Sequence, residues 1–292
     1  MKIYIWGHKL HTSTHSYIHA AYFKTFEYLG YETYWIDSND NLSHYDFSNS
    51  IFFVEGGDIR YAEGIPLRKD CKYITHHIKT EYFTNAGVPF ENILKLGNYL
   101  PKFDIHENVG DLAYWDESIR CLYQPWATDL LPHEIDEKNP IKFSWENKKL
   151  NFIGMLHTEA PWWAQEFANI IYNKHNVEFK VYTQNASFEE NRKLIEKSFL
   201  CPDFRGDWHL ECGYLSCRIF KNISYGRIVG TNSPNIKNIF GDYVVFGGTP
   251  NTLYNNLLDS EINQKVNMRD AMLFVKEKHT YINRVNNILK LL

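Results

Sequence analysis

Apolar residues along this chain come in two rhythms that take turns. One is the short continuous run of a strand buried on both faces; the other returns every three or four residues, as on one side of a helix. Lys2-Ile3-Tyr4-Ile5-Trp6 is the first run and predicts a buried strand. After a histidine-rich loop, Ile18, Tyr22, Phe26 and Leu29 share a helical face that Gly30 closes. Residues 31–37, 50–55 and 72–76 read as further strands, with turn or helical material between them. Strands separated by helices predict βαβ units and a mainly parallel sheet.

The rhythm lapses from Tyr123 through Pro125 and Pro132, and the chain stays polar and irregular to about Asn147. A second series then begins, with strands at 150–154, 177–182, 227–232 and 243–246 and helices at 160–174 and 187–198. Residues 201–211 read as a loop. Ser233-Pro234 and Thr249-Pro250 each offer an N-cap followed by proline at the first helical position. Ile282, Val285, Leu289 and Leu292 give the end of the chain an amphipathic face. The organisation predicts an α/β protein of two Rossmann-like domains, over 1–125 and 148–292, with a crossover at 126–147. Their mainly parallel sheets would face an interdomain cleft, and the last helix would pack back on the first domain. In such sheets ligands bind at the carboxyl ends of the strands.

At 292 residues the chain has room for two cores, and 44% hydrophobic with 23% charged residues is ordinary for a folded soluble protein. Twenty Tyr, 19 Phe and 8 Trp suit clefts for sugars and bases as well as large cores. The 31 basic and 35 acidic side chains give a net charge of −4, so no basic footprint for nucleic acid is visible. The five cysteines form no CxxC pair, which argues against a zinc ribbon or a thioredoxin-type motif. Reduced thiols and the absence of a long apolar leader or membrane-spanning run fit a cytoplasmic protein.

The most informative stretch runs from Cys212 to Asn232. Leu215, Ile219 and Ile223 recur at helical spacing, and Gly226 stands where a helix stops in a left-handed conformation. The helix is expected to begin at Gly213, which puts Arg218 and Lys221 in its first two turns. Exposed N–H groups there already favour negative charge, a combination that suits a diphosphate. The same pattern also describes a core helix carrying two solvated cations.

At 203–232 the chain resembles GT-B glycosyltransferases, in particular the nucleotide-sugar-binding half of the group-1-like families. Gly206-Asp207-Trp208, Gly213-Tyr214, Cys217-Arg218-Ile219-Phe220-Lys221, Ser224-Tyr225-Gly226 and Thr231-Asn232 bear the likeness. His279-Thr280-Tyr281 with Arg284 looks like the family's closing segment, and the likeness covers about 150–292. It implies a GT-B fold whose second domain binds a nucleotide-sugar donor while the first presents a glycan or other hydroxyl acceptor. Many retaining relatives have a Glu near the position of Lys221 that holds the donor ribose. Its absence favours inversion. The opening from Trp6-Gly7-His8 to Ser16-Tyr17 is similar to sugar-transfer enzymes of large DNA viruses of algae. That similarity implies a UDP-sugar, with a pentose such as xylose as one option, and a host cytoplasm as the setting.

Inverting transfer needs a base for the acceptor proton and stabilisation of the departing diphosphate. For the second task Arg218 can grip phosphate oxygens with two donors, beside Gly213, Tyr214, Ser216 and Lys221. Thr231 and Asn232 follow a strand and suit contacts to sugar or phosphate, or a turn. Gly154 permits close backbone approach after its strand, and Trp208 offers a stacking surface. For the base, Asp58 and then Glu55 lead, from Glu55-Gly56-Gly57-Asp58 at the end of an apolar strand, with His8 next. His11, His15 and His19 are spaced by four, but no HExxH accompanies them, and no metal or other cofactor is expected. The chain has no DxD, GxGxxG or GxxxxGK[ST] motif, against metal-dependent GT-A, dinucleotide and P-loop readings. A nucleotide-sugar epimerase and a non-catalytic carbohydrate-binding protein are the rival functions.

Overall fold

The computed structural model describes residues 1–9, 14–55, 59–99, 109, 112–156, 160–182 and 187–292, without the side chains of Glu55, Ile59 and Tyr61. The chain divides into two compact units: one holds the described residues up to Asp129 together with Tyr281–Leu292, the other Leu130–Thr280.

The first unit contains seven strands: β1 Lys2–Trp6, β2 Glu32–Ile36, β3 Ile51–Glu55, β4 Lys72–His76, β5 Ile93–Gly97, β6 Tyr114–Asp116 and β7 Cys121–Tyr123. They form one sheet in the order β2-β1-β3-β4-β5-β7-β6, parallel throughout except for the pairing of β6 with β7. Ile3, Tyr4 and Ile5 are wholly buried because β1 lies inside the sheet with both faces covered. On one face Tyr4, Trp6, Phe52, Val54 and Tyr73 pack into a single cluster. On the other, the helix Thr14–Tyr28 brings Tyr22 to 4.1 Å from Phe53 and 4.7 Å from Tyr281, ring centre to ring centre. Tyr281 opens the last helix, Tyr281–Leu289, which thus belongs to the first unit's core. Arg284 in that helix is fully buried and donates through Nε to the Pro125 carbonyl at 2.8 Å.

The second unit contains β8 Lys149–Ile153, β9 Glu178–Tyr182, β10 Leu200–Asp203, β11 Ile228–Thr231 and β12 Val245–Phe246. β8 pairs with β9, and β10-β11-β12 form a parallel ladder of their own. β8 and β10 abut: Phe199 N–H donates to the Lys149 carbonyl at 3.4 Å, and Asn151 N–H to Ser198 Oγ at 3.0 Å. Pro202 in β10 has no N–H to offer a ladder, and the pairing of β10 with β11 is intact. Across this join the order is β9-β8-β10-β11-β12, so both units reverse strand order beside their first strand. Such reversals are where open α/β sheets bind ligands.

Two expectations are corrected here. Residues 201–211 are not a loop; they supply the rest of β10 and the helix Asp207–Glu211. The helix expected from Gly213 begins at Cys217 and runs to Ser224. Gly213 instead ends the preceding helix at φ +66°, with its N–H on the Leu210 carbonyl and that of Tyr214 on the His209 carbonyl. Gly226 stops the helix Cys217–Ser224 in the same manner at φ +73°.

Candidate donor site

The carboxyl ends of β8 and β10 meet through one arginine. Arg218 is the second residue of its helix, whose Ile219, Phe220 and Ile223 are buried and fix its orientation. Its Nε donates to the Ile153 carbonyl at 3.0 Å, and its Nη1 to Asp203 Oδ1 at 3.3 Å. The guanidinium lies 4.1 Å from the Phe152 ring centre. Gly154, at φ +121°, lets this happen: a Cβ there would sit 2.3 Å from Arg218 Nη2.

Asp203 is the centre of the cluster. It is fully buried, and Arg205 grips it bidentately, Nε on Oδ2 at 2.8 Å and Nη2 on Oδ1. Ser216 Oγ donates to Asp203 Oδ1 at 3.3 Å and accepts from Arg205 Nη2, so this N-cap residue spends its hydroxyl on the cluster rather than on its helix. Asn232 holds the Arg205 backbone at both ends, accepting from its N–H and donating to its carbonyl, each at 2.8 Å. Thr231 donates to the Asp203 carbonyl at 3.1 Å and accepts from Ser233 N–H. Tyr214 lies under Arg205, 5.2 Å from guanidinium carbon to ring centre.

Two guanidiniums share one carboxylate, which leaves the cluster with an excess positive charge. Burial pushes the Arg218 guanidinium down, the charge of Arg205 adds to that, and Asp203 opposes both. For Arg205, burial is outweighed by Asp203 and the groups around it, so its affinity for the proton rises. Arg218 keeps 17% of its side chain in solvent, and Nη2 donates no hydrogen bond among the described residues. An anion arriving at that nitrogen would relieve the repulsion between the two arginines.

A structure of an alpha-glucosyltransferase in complex with UDP and a 13-mer DNA containing a HMU base matches with a TM-score of 0.62 at 8% identity over 99% of both chains. An alpha-glucosyltransferase in complex with UDP-glucose and DNA containing an abasic site matches with a TM-score of 0.57 at 9% identity, over 100% of this chain and 99% of that one. The fold is GT-B. An alpha,alpha-trehalose-phosphate synthase (UDP-forming) from Burkholderia xenovorans, in complex with glucose-6-phosphate, matches with a TM-score of 0.50 at 11% identity over 77% and 74% of the two chains. Identity this low speaks for the GT-B fold alone. No protein-family model and no curated protein matches the chain.

Within this GT-B chain the expected donor residues separate into three groups. Gly154, Tyr214, Ser216 and Arg218 gather around Asp203, and Thr231 and Asn232 brace the same cluster from below. Gly213 and Trp208 belong to the short helix Asp207–Glu211 and its end, where Trp208 is 53% exposed. Lys221 departs most from expectation. It is buried, and Nζ donates to Asn191 Oδ1 on the helix Phe188–Glu196. Asp203 and Arg205 were missed from the sequence because they fell inside the supposed loop. The apolar run Phe199-Leu200-Cys201 just before them was the signal available.

Of the proposed bases, Asp58 lies outside the described residues and Glu55 is described only in its backbone, at the end of β3. His8 is buried just past β1 at φ +60°, its ring 5.0 Å from that of His15 and 5.1 Å from that of His19. His11 also lies outside the described residues, and among the described ones no group of three metal-ligating side chains occurs. No helix among the described residues is long and apolar enough to cross a membrane.

Proposed function

We propose that this protein is a glycosyltransferase that moves a sugar from a nucleotide donor, a UDP-sugar before others, to a hydroxyl of a glycan acceptor. One observation carries the reading: Arg218 and Arg205, tied to a single buried carboxylate, stand at the carboxyl ends of β8 and β10 where the strand order reverses. A diphosphate leaving group develops charge as the glycosidic bond breaks, and fixed guanidiniums stabilise that charge without reorganising. The structural likeness to glucosyltransferases holding UDP or UDP-glucose supports the same donor class. In this reading Arg218 binds the diphosphate, Arg205 and Asp203 hold Arg218 in place, and Asn232 and Thr231 are positioning residues. Transfer is inverting and metal-independent, with the acceptor proton taken at the carboxyl end of the first unit's sheet by Asp58, Glu55 or His8.

The test joins binding to turnover. UDP-, GDP- and dTDP-sugars are compared by thermal shift, and the best donor is offered a panel of hydroxyl acceptors. The panel includes glycosides and a 13-mer DNA containing a HMU base, since one structural neighbour was solved with such a DNA. A raised melting temperature with UDP-sugars and transfer to a glycoside is expected. Removing one charged hydrogen-bond donor costs about 1.5–3 kcal/mol, so Arg218→Ala should weaken UDP affinity about tenfold or more by calorimetry. Unchanged UDP affinity in a folded Arg218→Ala protein removes the basis of the assignment.

A further inference from the structure

The second unit's sheet ends on β9, which has no strand beyond it among the described residues. Gly154 N–H donates to the Tyr182 carbonyl, and the pleat of a parallel strand turns the N–H and C=O of every second residue to the same neighbour. Glu178, Lys180 and Tyr182 therefore turn their backbone to β8, and Phe179 and Val181 turn theirs outward. Among the described residues, none bonds the backbone groups of those two. Their side chains share a face with Leu150 and Phe152, the buried residues beside them in register. Yet Val181 is 39% exposed and Phe179 only half-buried, because the sheet stops there.

We infer that a second copy of this chain pairs here, β9 antiparallel to β9 about a two-fold axis at Phe179. An open edge is a template for another strand, and the charges of β9 select which one. In this register Phe179 exchanges both backbone hydrogen bonds with its copy, and Val181 N–H donates to the Val177 carbonyl of the other copy. Val177 has its own N–H on the Ile171 carbonyl and needs no partner for it. Glu178 stands opposite Lys180 of the other copy, twice by symmetry. Both side chains are exposed, and within one strand they already meet at 3.2 Å. Centring the pair on Glu178 or on Lys180 instead would set two glutamates or two lysines face to face. Opposite charges across strands stabilise and like charges destabilise, so the pattern favours the register at Phe179. The edge of the first unit's sheet lacks this device: β2 carries Glu32 and no cation to oppose it. A strand pair of five residues is a small interface, so a reversible dimer is expected, with a dissociation constant of roughly micromolar or more. The dimer does not depend on the glycosyl-transfer reading.

The experiment is sedimentation equilibrium on the full chain over a range of protein concentrations, with circular dichroism reporting whether each variant is folded. A monomer–dimer equilibrium is the expected result. Lys180→Glu and Glu178→Lys each set like charges opposite one another at both pairs, and each should weaken the dimer about tenfold or more. Mixed in equal amounts, the two variants bring two carboxylates against two ammonium groups and should form a heterodimer as strong as the original dimer. Val181→Pro removes an outward N–H that β8 does not use, so it should weaken the dimer and leave the fold intact. A chain that stays monomeric at high concentration overturns the assignment. So does a dimer that neither charge reversal nor Val181→Pro weakens, or a failure of the two folded charge variants to pair with each other.

Discussion

Asp203 has no solvent exposure and answers two arginines, so its loss is felt by both. Removing one member of a buried ionic group leaves uncompensated charge and costs about 3–5 kcal/mol. Asp203→Asn should therefore lower the unfolding free energy by that order, read from urea denaturation. A loss below about 1 kcal/mol would mean that solvent already screens the pair. Gly154→Ala probes the same cluster from the opposite side. The added Cβ meets Arg218 Nη2 at 2.3 Å, and φ +121° is a backbone state that alanine adopts only under strain of about 1–3 kcal/mol. The variant should lose stability and also weaken UDP binding, because the guanidinium must move. Calorimetry with UDP on the folded fraction checks the second effect, and unaltered affinity would separate Gly154 from the site.

Strands with a long apolar run announce themselves, and short or interrupted ones do not, even when they are fully buried. β1 and β3 were legible as continuous apolar runs, and the caps Ser233-Pro234 and Thr249-Pro250 open helices at Pro234 and Pro250 as expected. β10 was not legible: it has four residues, one of them Pro202, and its partner β11 lies 28 residues on in register, Leu200 beside Ile228. β6 and β7, at three residues each, are too short to show a period. Gly213 misled because a glycine before an amphipathic run marks either the start of one helix or the end of another. Arg218 falls in the first turn of its helix, but its tie to Asp203 joins residues 15 apart and leaves no trace in helical spacing. Gly226 tests how firmly the helix Cys217–Ser224 is set. A Cβ there would lie 2.7 Å from the Asn139 carbonyl oxygen and 2.7 Å from Pro140 Cα, both backbone atoms with little freedom to yield. Gly226→Ala should cost more than the roughly 1 kcal/mol of an ordinary left-handed glycine, because the segment at 139–141 must shift as well. Thermal melting would reveal it. A drop of only one or two degrees would show that the segment moves freely.

Each unit of the molecule encloses its own sheet, and the cysteines report on how tightly. All five are free thiols, and Cys71, Cys121 and Cys201 are buried. Burial pushes the Cys121 thiol up to about 11 and the Cys201 thiol up to about 12, and raises that of Cys71 as well. Burial likewise raises Tyr4 to about 12. An unfolded chain ionises its thiols near pH 8.5. Below that pH both states hold the proton and these groups leave stability unchanged. Above it the unfolded state releases protons that the native state keeps, so the native state binds more of them and stability falls as pH rises. The fall continues until the native thiols ionise near pH 11–12. Between pH 8 and 10 each deeply buried thiol accounts for a loss on the order of 1–2 kcal/mol. The urea midpoint should therefore hold steady from pH 7 to 8 and drop measurably by pH 10. In the native protein at pH 8, Cys121 and Cys201 should also resist iodoacetamide, because the nucleophile is the thiolate and burial suppresses it. Rapid alkylation of these two residues, with a urea midpoint that does not change up to pH 10, would mean that the sheets open to water far more readily than their packing requires.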